Sequence, residues 1–395
     1  MRLLLNLLAV SLVAFSFNIG AQPLEDYFPP SEVAGGWRAD TTEKFIRSLG
    51  LDPGRLEEFG RFNLEVPSGN WMPYSAYKGI IVIKNGWIVG EWYNIPEAKT
   101  FKTYISSNGK SFAIACFGIL AEVSRAGGLK EQIDENSQVY DPRWLPQGFP
   151  LSDPRKAEIT FEQIFRHTSG LCPERTAAGE EVEQGRNEWS GYLDWVLGHD
   201  KKWPQTAPLY FTPGHPEEYA GSEHLYGTAN AYSSVGFCHI GLVLRNLYGL
   251  PAEDFLWKRL LEPLGFSGID FQAPPADSLR WFSAGGLRMT PRDYARFAYL
   301  LLHDGFWNGA QLVPAEWIRR FRTRPFYPNL HSNADSNFGP QYPKDMFQIA
   351  GSGLNWAFIV PSLDLIALRT SRANNEIWNQ VQEEFLRKLF AALNK

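Results

Sequence analysis

The period of the apolar positions changes several times along this chain, and each change marks an element. From Gly79 the run Ile80-Ile81-Val82-Ile83-Lys84, the pair Asn85-Gly86 and the run from Trp87 to Tyr93 predict two strands joined by a two-residue turn. A helix is predicted next, from Ser107 to Ala126. After Lys110 it is apolar nearly all round, so it belongs in a core rather than on a surface, and Gly127-Gly128 stops it. Two short helical patterns lie earlier, between Thr42 and Phe62. From about Gly128 to Trp281 strand alternation is absent, and helical stretches near 160–166, 189–197, 231–247 and 252–261 alternate with Pro and Gly. A further helix over 291–302 has Thr290 as its cap and Pro291 at its first position. Strand patterns return at 355–360 and 365–370 around a Pro361-Ser362-Leu363-Asp364 turn, and a last helix covers about 375–393. Strands at both chain ends with helices between them predict an α+β fold. It would be an antiparallel sheet flanked by helices, formed by both chain ends, plus an inserted, mostly helical region. The sheet part is expected at about 37–126 and 282–395 and the helical part at about 127–281, with a site where the two meet.

Composition narrows the function classes. The 395 residues are 44% apolar and 21% charged, with a net charge of -5 and no basic run suited to nucleic acid. The N-terminus has its own pattern. Arg2, an apolar run from Leu3 to Phe17 and a small-residue exit at Gly20-Ala21 form a secretory signal peptide over residues 1–21, with cleavage expected after Ala21. The mature chain is then expected to cross the inner membrane to the periplasm with no stable membrane anchor. An uncleaved anchor is the alternative, and the absence of a nearby cysteine argues against a lipoprotein. Cys116, Cys172 and Cys238 are an odd set without metal spacing. Cys116 and Cys238 fall in apolar patterns that suit buried thiols. The seven histidines form no ligand cluster.

The chemistry centres on Ser107-Asn108-Gly109-Lys110. A serine three residues before a lysine on one helix face can pair a hydroxyl nucleophile with an amine that takes its proton. At the start of a buried helix, desolvation and the positive helix end both disfavour the lysine's charged form. The competing reading is a capping serine with a lysine that extends to solvent.

Further segments recur beside this one. Ile159-Thr160-Phe161-Glu162-Gln163-Ile164-Phe165-Arg166-His167-Thr168-Ser169-Gly170-Leu171, Tyr232-Ser233-Ser234-Val235-Gly236-Phe237, and Ser283-Ala284-Gly285-Gly286-Leu287 with Thr290 and Asp293 follow the serine pair in order. Together they resemble the serine β-lactamase superfamily, in its class C-like branch of β-lactamase-related hydrolases, esterases and amidases such as 6-aminohexanoate-dimer hydrolases. The resemblance implies the fold of β-lactamases and penicillin-binding proteins over about Gly79 to Thr370, and an acyl-enzyme mechanism without a cofactor. It makes Ser107 the nucleophile, Lys110 a member of its proton network and Tyr232 an acid or base from the opposite wall. Which of Lys110 and Tyr232 accepts the proton in acylation stays open. Tyr219, which also follows a Pro-Gly pair, is a rival to Tyr232. His167 is expected to shape a turn and Gly285-Gly286 to allow close backbone approach.

The chain departs from the family pattern twice. Ser234 stands where the family has an asparagine that contacts a substrate amide. Gly351-Ser352-Gly353 stands where a Lys-Thr-Gly or His-x-Gly strand motif is expected, so no cation meets a substrate carboxylate there. The following Leu354 and Asn355 continue the strand. An N–H there, assigned to Leu354, would join that of Ser107 in an oxyanion hole. Ser352 is either a substrate donor or part of a Gly-Ser turn. The segment 216–229, with His215, Glu217, Glu218, His224 and Tyr226 in or beside it, resembles a specificity loop. The expected function is an exported serine hydrolase acting on a small-molecule carboxylic ester or small amide. A β-lactamase or D,D-peptidase and a non-catalytic binding protein are the alternatives.

Overall fold

The computed structural model describes residues 27–69, 77–178, 180–182, 192–219, 232–271, 281–323, 330–334 and 337–393. The N-terminal segment 1–21, and His224 and Tyr226, lie outside the described residues.

Strands β1 (Gly79–Lys84) and β2 (Trp87–Tyr93) form the expected hairpin. Asn85 and Gly86 both adopt positive φ (51° and 72°), as a two-residue turn matched to strand twist requires. A small sheet has the order β3 (Thr103–Tyr104), β5 (Leu287–Met289), β4 (Asp270–Phe271). A two-residue ladder joins β6 (Phe306–Trp307) to β7 (Ala310–Gln311). The main sheet is completed by β8 (Leu330–Ser332), β9 (Phe347–Gly351), β10 (Asn355–Val360) and β11 (Leu365–Thr370). Its order is β2-β1-β11-β10-β9-β8, and every pairing is antiparallel. Gly79 pairs with Thr370 and Lys84 with Leu365, so the two chain ends close one sheet.

Helices cover both faces of this sheet. α1 (Glu43–Ser48), α2 (Pro53–Glu65) and, at the far end of the chain, α10 (Trp378–Ala391) lie on one side. α3 (Gly109–Arg125) and α8 (Pro291–Leu302) lie on the other. The inserted region contributes α4 (Phe161–Phe165), α5 (Tyr192–Leu197), α6 (Ser234–Tyr248) and α7 (Ala252–Leu256), which a π turn extends to Leu261. α9 (Ala315–Thr323), which the periodicity did not mark, presses the Trp317 indole onto Gly118 of α3 and donates its N–H to the Ile114 carbonyl at 3.0 Å.

Alternation along each strand assigns side chains to these two layers. Ile81 and Ile83, with Ile349, Ile359 and Ile366, join the α3–α8 side. Ile80 and Val82, with Trp356, Phe358 and Ala367, join the α1–α2–α10 side. Strands β1, β10 and β11 are therefore buried along nearly their whole length, because neither of their faces meets water. α3 seats on α8 through the stacked rings of Phe112 and Phe297, 3.7 Å between centroids. The cap at Thr290 is present, its hydroxyl accepting from the Asp293 N–H at 3.1 Å.

A buried polar pair sits inside the helical region. His239 of α6 is fully buried. Its Nδ1–H is shared between the Val235 and Gly236 carbonyls (3.0 and 3.2 Å), and its Nε2 accepts from the Tyr140 hydroxyl at 2.7 Å. Both ring nitrogens are thus satisfied only in the neutral form. Burial, with the Lys156 charge adding to it, pushes the His239 pKa down to about 3. The unfolded chain, with histidine near its ordinary value of ~6.5, binds this proton first. The stability contribution is therefore present above pH ~6.5 and is lost as pH falls toward 3. The double variant Tyr140→Phe/His239→Leu should remove it. In urea unfolding, the stability difference between wild type and variant should decline by about 3 kcal/mol from pH 7 to pH 4. A difference that does not change with pH would contradict this assignment.

Candidate active site

Ser107, the expected nucleophile, stands on a turn, not within the helix. Ser106–Asn108 form a 3-10 turn and α3 begins at Gly109, so the predicted helix start at Ser107 is corrected by two residues. Ser106 adopts positive φ (53°), a conformation costly for a residue with a β-carbon that persists only where its surroundings enforce it. They do so here. The Asn108 side-chain amide donates to the carbonyls of Ile105 (2.9 Å) and Asn355 (3.0 Å), and its oxygen accepts from the buried Tyr294 hydroxyl of α8 (2.9 Å). Burial raises the Tyr294 pKa well above its ordinary value, which keeps it a donor. On the outer side, Arg372 donates to Ser106 Oγ at 3.1 Å and lies 5.2 Å from the Tyr104 ring centroid. Burial, with Arg288 nearby, lowers its pKa against an opposing pull from Tyr104.

Lys110, in the first turn of α3, is fully buried, which rules out a lysine extending to solvent. Its Nζ lies 3.4 Å from Ser107 Oγ, 3.1 Å from Ser234 Oγ and 2.7 Å from the Ala284 carbonyl oxygen. Ser107 itself is part-exposed. The Tyr232 hydroxyl reaches it across the boundary between sheet and helical region, 2.7 Å from Oγ and 125 residues away in sequence. The Tyr232 ring also lies 4.5 Å from Lys110 Nζ. Tyr219, by contrast, turns its hydroxyl to the Arg175 carbonyl (2.9 Å) and packs on Phe211.

The segment 167–174 holds residues 232–234 in place. His167, buried and at φ 55°, accepts the Ser233 N–H on Nδ1 at 2.9 Å, and its ring lies 4.3 Å from that of Tyr232. The Ser233 hydroxyl donates to the Cys172 carbonyl (2.7 Å) and caps α6. The Glu174 N–H donates to the Tyr232 carbonyl at 2.8 Å, and the Glu174 carboxylate accepts from the Ser234 hydroxyl. His167 is therefore a framework residue. Glu174 was missed in the sequence, where only its position three residues past the Ser-Gly-Leu signature could have marked it. Ser234 is 2% exposed with its hydroxyl between Lys110 and Glu174, so it forms part of the wall.

Backbone proximity requires glycine at two points. A β-carbon on Gly109 would stand 2.5 Å from the Gly285 carbonyl oxygen, and one on Gly351 would stand 2.4 Å from that of Ile105 and 3.0 Å from the Asn108 nitrogen. Gly351 thus brings the end of β9 against the nucleophile turn. The remaining residues of the 351–355 group divide. Ser352 is part-exposed in the turn. Gly353 (φ 85°) donates its N–H to Asn375 Oδ1 at 2.8 Å, which takes that donor out of an oxyanion hole. Leu354 sends its side chain into the core on the α2–α10 side. The Asn355 side chain is engaged with the Ser352 carbonyl (2.7 Å) and the Ser371 N–H (2.8 Å), so its role is to hold the turn. All three cysteines are buried and free, and burial raises the Cys116 pKa. Among the described residues no group of three or more His, Cys, Asp or Glu could hold a metal, and no helix is long and apolar enough to cross a membrane.

Solved structures share this architecture at low identity. A family VIII carboxylesterase matches with TM-score 0.59 at 16% identity, over 86% of this chain and 97% of its own. A penicillin-binding protein homolog from Caulobacter crescentus matches with TM-score 0.58 at 15% identity, over 86% and 97%. A protein from Bacillus anthracis described as a 6-aminohexanoate-dimer hydrolase matches with TM-score 0.58 at 17% identity, over 81% of each chain. No curated protein matches the sequence. The sequence profile of the Beta-lactamase family matches residues 79–382, which span the main-sheet hairpin, the nucleophile turn, the Tyr232 wall and the final strands, and the chain belongs to that family.

Proposed function

We propose that this protein is an exported serine hydrolase that cleaves a carboxylic ester or small amide through an acyl-enzyme on Ser107. One observation carries the reading: Ser107 Oγ lies 2.7 Å from the Tyr232 hydroxyl and 3.4 Å from Lys110 Nζ, so one oxygen faces both partners of a proton relay. Tyr232, the nearer, acts as a phenolate beside Lys110 and takes the Ser107 proton as Oγ attacks the carbonyl carbon. It returns that proton to the leaving oxygen or nitrogen as the tetrahedral intermediate collapses. A water then adds to the acyl-enzyme, again giving its proton to Tyr232, and Ser107 recovers its hydrogen when the acid departs. The Ser107 N–H and one N–H of the 351–355 turn, other than that of Gly353, are the proposed oxyanion donors.

The preference over a β-lactam or D,D-peptide substrate rests on two features. Strand β9 carries no cation in Phe347–Gly351, and Ser234 is turned into the wall. Arg372, a cation in this neighbourhood, comes from beyond β11 and is bonded to Ser106. The three structural neighbours described as an esterase, a penicillin-binding protein homolog and an amide-dimer hydrolase are compatible with this range of acyl chemistry. Export is the part of the proposal that rests on residues 1–21 alone.

Ser107→Ala should abolish turnover of p-nitrophenyl acetate and labelling by a fluorophosphonate. Tyr232→Phe should lower kcat by about 10²–10⁴-fold with a smaller change in KM. Full turnover by Ser107→Ala contradicts the reading. Hydrolysis of nitrocefin at a kcat/KM matching that of the best ester would move the assignment to the β-lactamase alternative. Gly351→Ala should drive β9 off the nucleophile turn. It should cost about 1–3 kcal/mol of stability and lower kcat by more than about tenfold. Unchanged kinetics in this variant would separate Gly351 from the site.

A further inference from the structure

We propose that Glu174 is a positioning residue for this reaction. Through the Ser234 hydroxyl its carboxylate supplies the counter-charge that keeps Lys110 an ammonium aimed at Ser107, leaving Tyr232 to accept the proton. The proposal rests on the Ser107 acyl-enzyme reading.

The connectivity is directional. The single hydrogen of the Ser234 hydroxyl is donated to Glu174 Oε1, so its oxygen is left to accept from Lys110 Nζ at 3.1 Å. A second Lys110 N–H goes to the Ala284 carbonyl at 2.7 Å, and the remaining position of the nitrogen faces Ser107 Oγ at 3.4 Å. A neutral amine and an ammonium would both fit these three neighbours. The carboxylate one hydroxyl away decides between them, because an opposite charge within ~4–6 Å favours the charged form of its partner by ~1–3 pH units. A charge-assisted chain in a buried wall is also stronger than its neutral equivalent.

Glu174 is placed for this by its backbone. Its N–H bonds the Tyr232 carbonyl at 2.8 Å and its carbonyl accepts from Val182 at 3.0 Å, so the residue that holds the Tyr232 main chain also reaches the side chain two positions on. The family pattern has an asparagine at position 234. Here a shorter serine leaves room for a carboxylate behind it. The other titratable groups beside this chain, among the described residues, are few. The Tyr232 ring lies 4.5 Å from Lys110 Nζ, and the His167 ring lies 4.3 Å from Tyr232. Arg175 follows Glu174 and is exposed. Arg372 stands beyond Ser106, on the far side of the nucleophile. His167 accepts the Ser233 N–H on Nδ1 and acts as framework, so the acid limb of a pH profile belongs to Tyr232, which takes the Ser107 proton only as phenolate. The alkaline limb belongs to Lys110.

The test is the pH dependence of kcat/KM and kcat with p-nitrophenyl acetate for full-length wild type, Glu174→Gln, Ser234→Ala and the double variant, with Ser107→Ala as control. Neutralising Glu174 should move the alkaline limb down by about one pH unit and lower kcat about tenfold at pH 8, with KM within about twofold. Ser234→Ala should move the limb the same way, and the double variant should be no worse than the worse single, because both cut one chain. Wild-type fluorophosphonate labelling at pH 7 would show that the fold is retained. An alkaline limb that stays in place, or rises, in Glu174→Gln overturns the proposal. Should that variant fail to fold, an unmoved limb in Ser234→Ala overturns it. Full turnover by Ser107→Ala would instead remove the acyl-enzyme reading itself, and this proposal with it.

Discussion

The hydrogen bond between Tyr232 and Ser107 is the contact on which the rest of the molecule converges. It joins side chains 125 residues apart, one on the sheet part and one at the start of a helix in the inserted region. It can form only if the chain ends close the sheet through the β1–β11 pairing, because that pairing and the β9–β10 hairpin place the nucleophile turn. It also requires the 167–174 segment to hold residues 232–234 from behind. Two parts of the framework that share one core are thus brought to hydrogen-bond distance, and a local loss in either is felt at one oxygen.

The framework around that oxygen stores strain and compensates for it locally. Ser106 takes a left-handed conformation that costs ~1–3 kcal/mol. Asn108, Tyr294 and Arg372 hold it from three directions through buried or half-buried hydrogen bonds. Gly109 and Gly351 let backbones meet where a β-carbon would collide. The result is a Ser107 side chain whose neighbours cannot relax independently. Such preorganisation lowers the reorganisation needed when charge develops on a substrate oxygen.

What the sequence made legible was local or periodic. Asn85-Gly86 between apolar runs specifies its hairpin because both residues tolerate positive φ. Thr290-Pro291 specifies a helix start because a hydroxyl cap and a missing N–H both suit it. The Ser107–Lys110 spacing and the Tyr232 segment were visible as motifs, and the α+β class followed from strands at both ends. What was not legible depends on through-space partners. Asn108 is an ordinary polar residue in sequence, and only the approach of β10 and α8 makes it a staple. Glu174 gains its partners only when 167–174 folds under 232–234. Leu354 shares the core of Trp356 and Phe358, as alternation requires, but it stands at positive φ (58°) in the turn after Gly353, so the one-residue register of the oxyanion donor could not be read from pattern. The start of α3 moved for a related reason: the helical pattern extends back to Ser107, while the tertiary holds on Ser106 and Asn108 impose a tighter turn.

A crystal structure of the protein after reaction with a fluorophosphonate tests the central claim most directly. The account predicts phosphorus bonded to Ser107 Oγ, the Tyr232 hydroxyl within ~3.5 Å of that oxygen, and Lys110 still bonded to Ser234 and the Ala284 carbonyl. A phosphonyl group on any other residue, or Ser107 and Tyr232 separated by more than a hydrogen bond with no reactive atom between them, would contradict it.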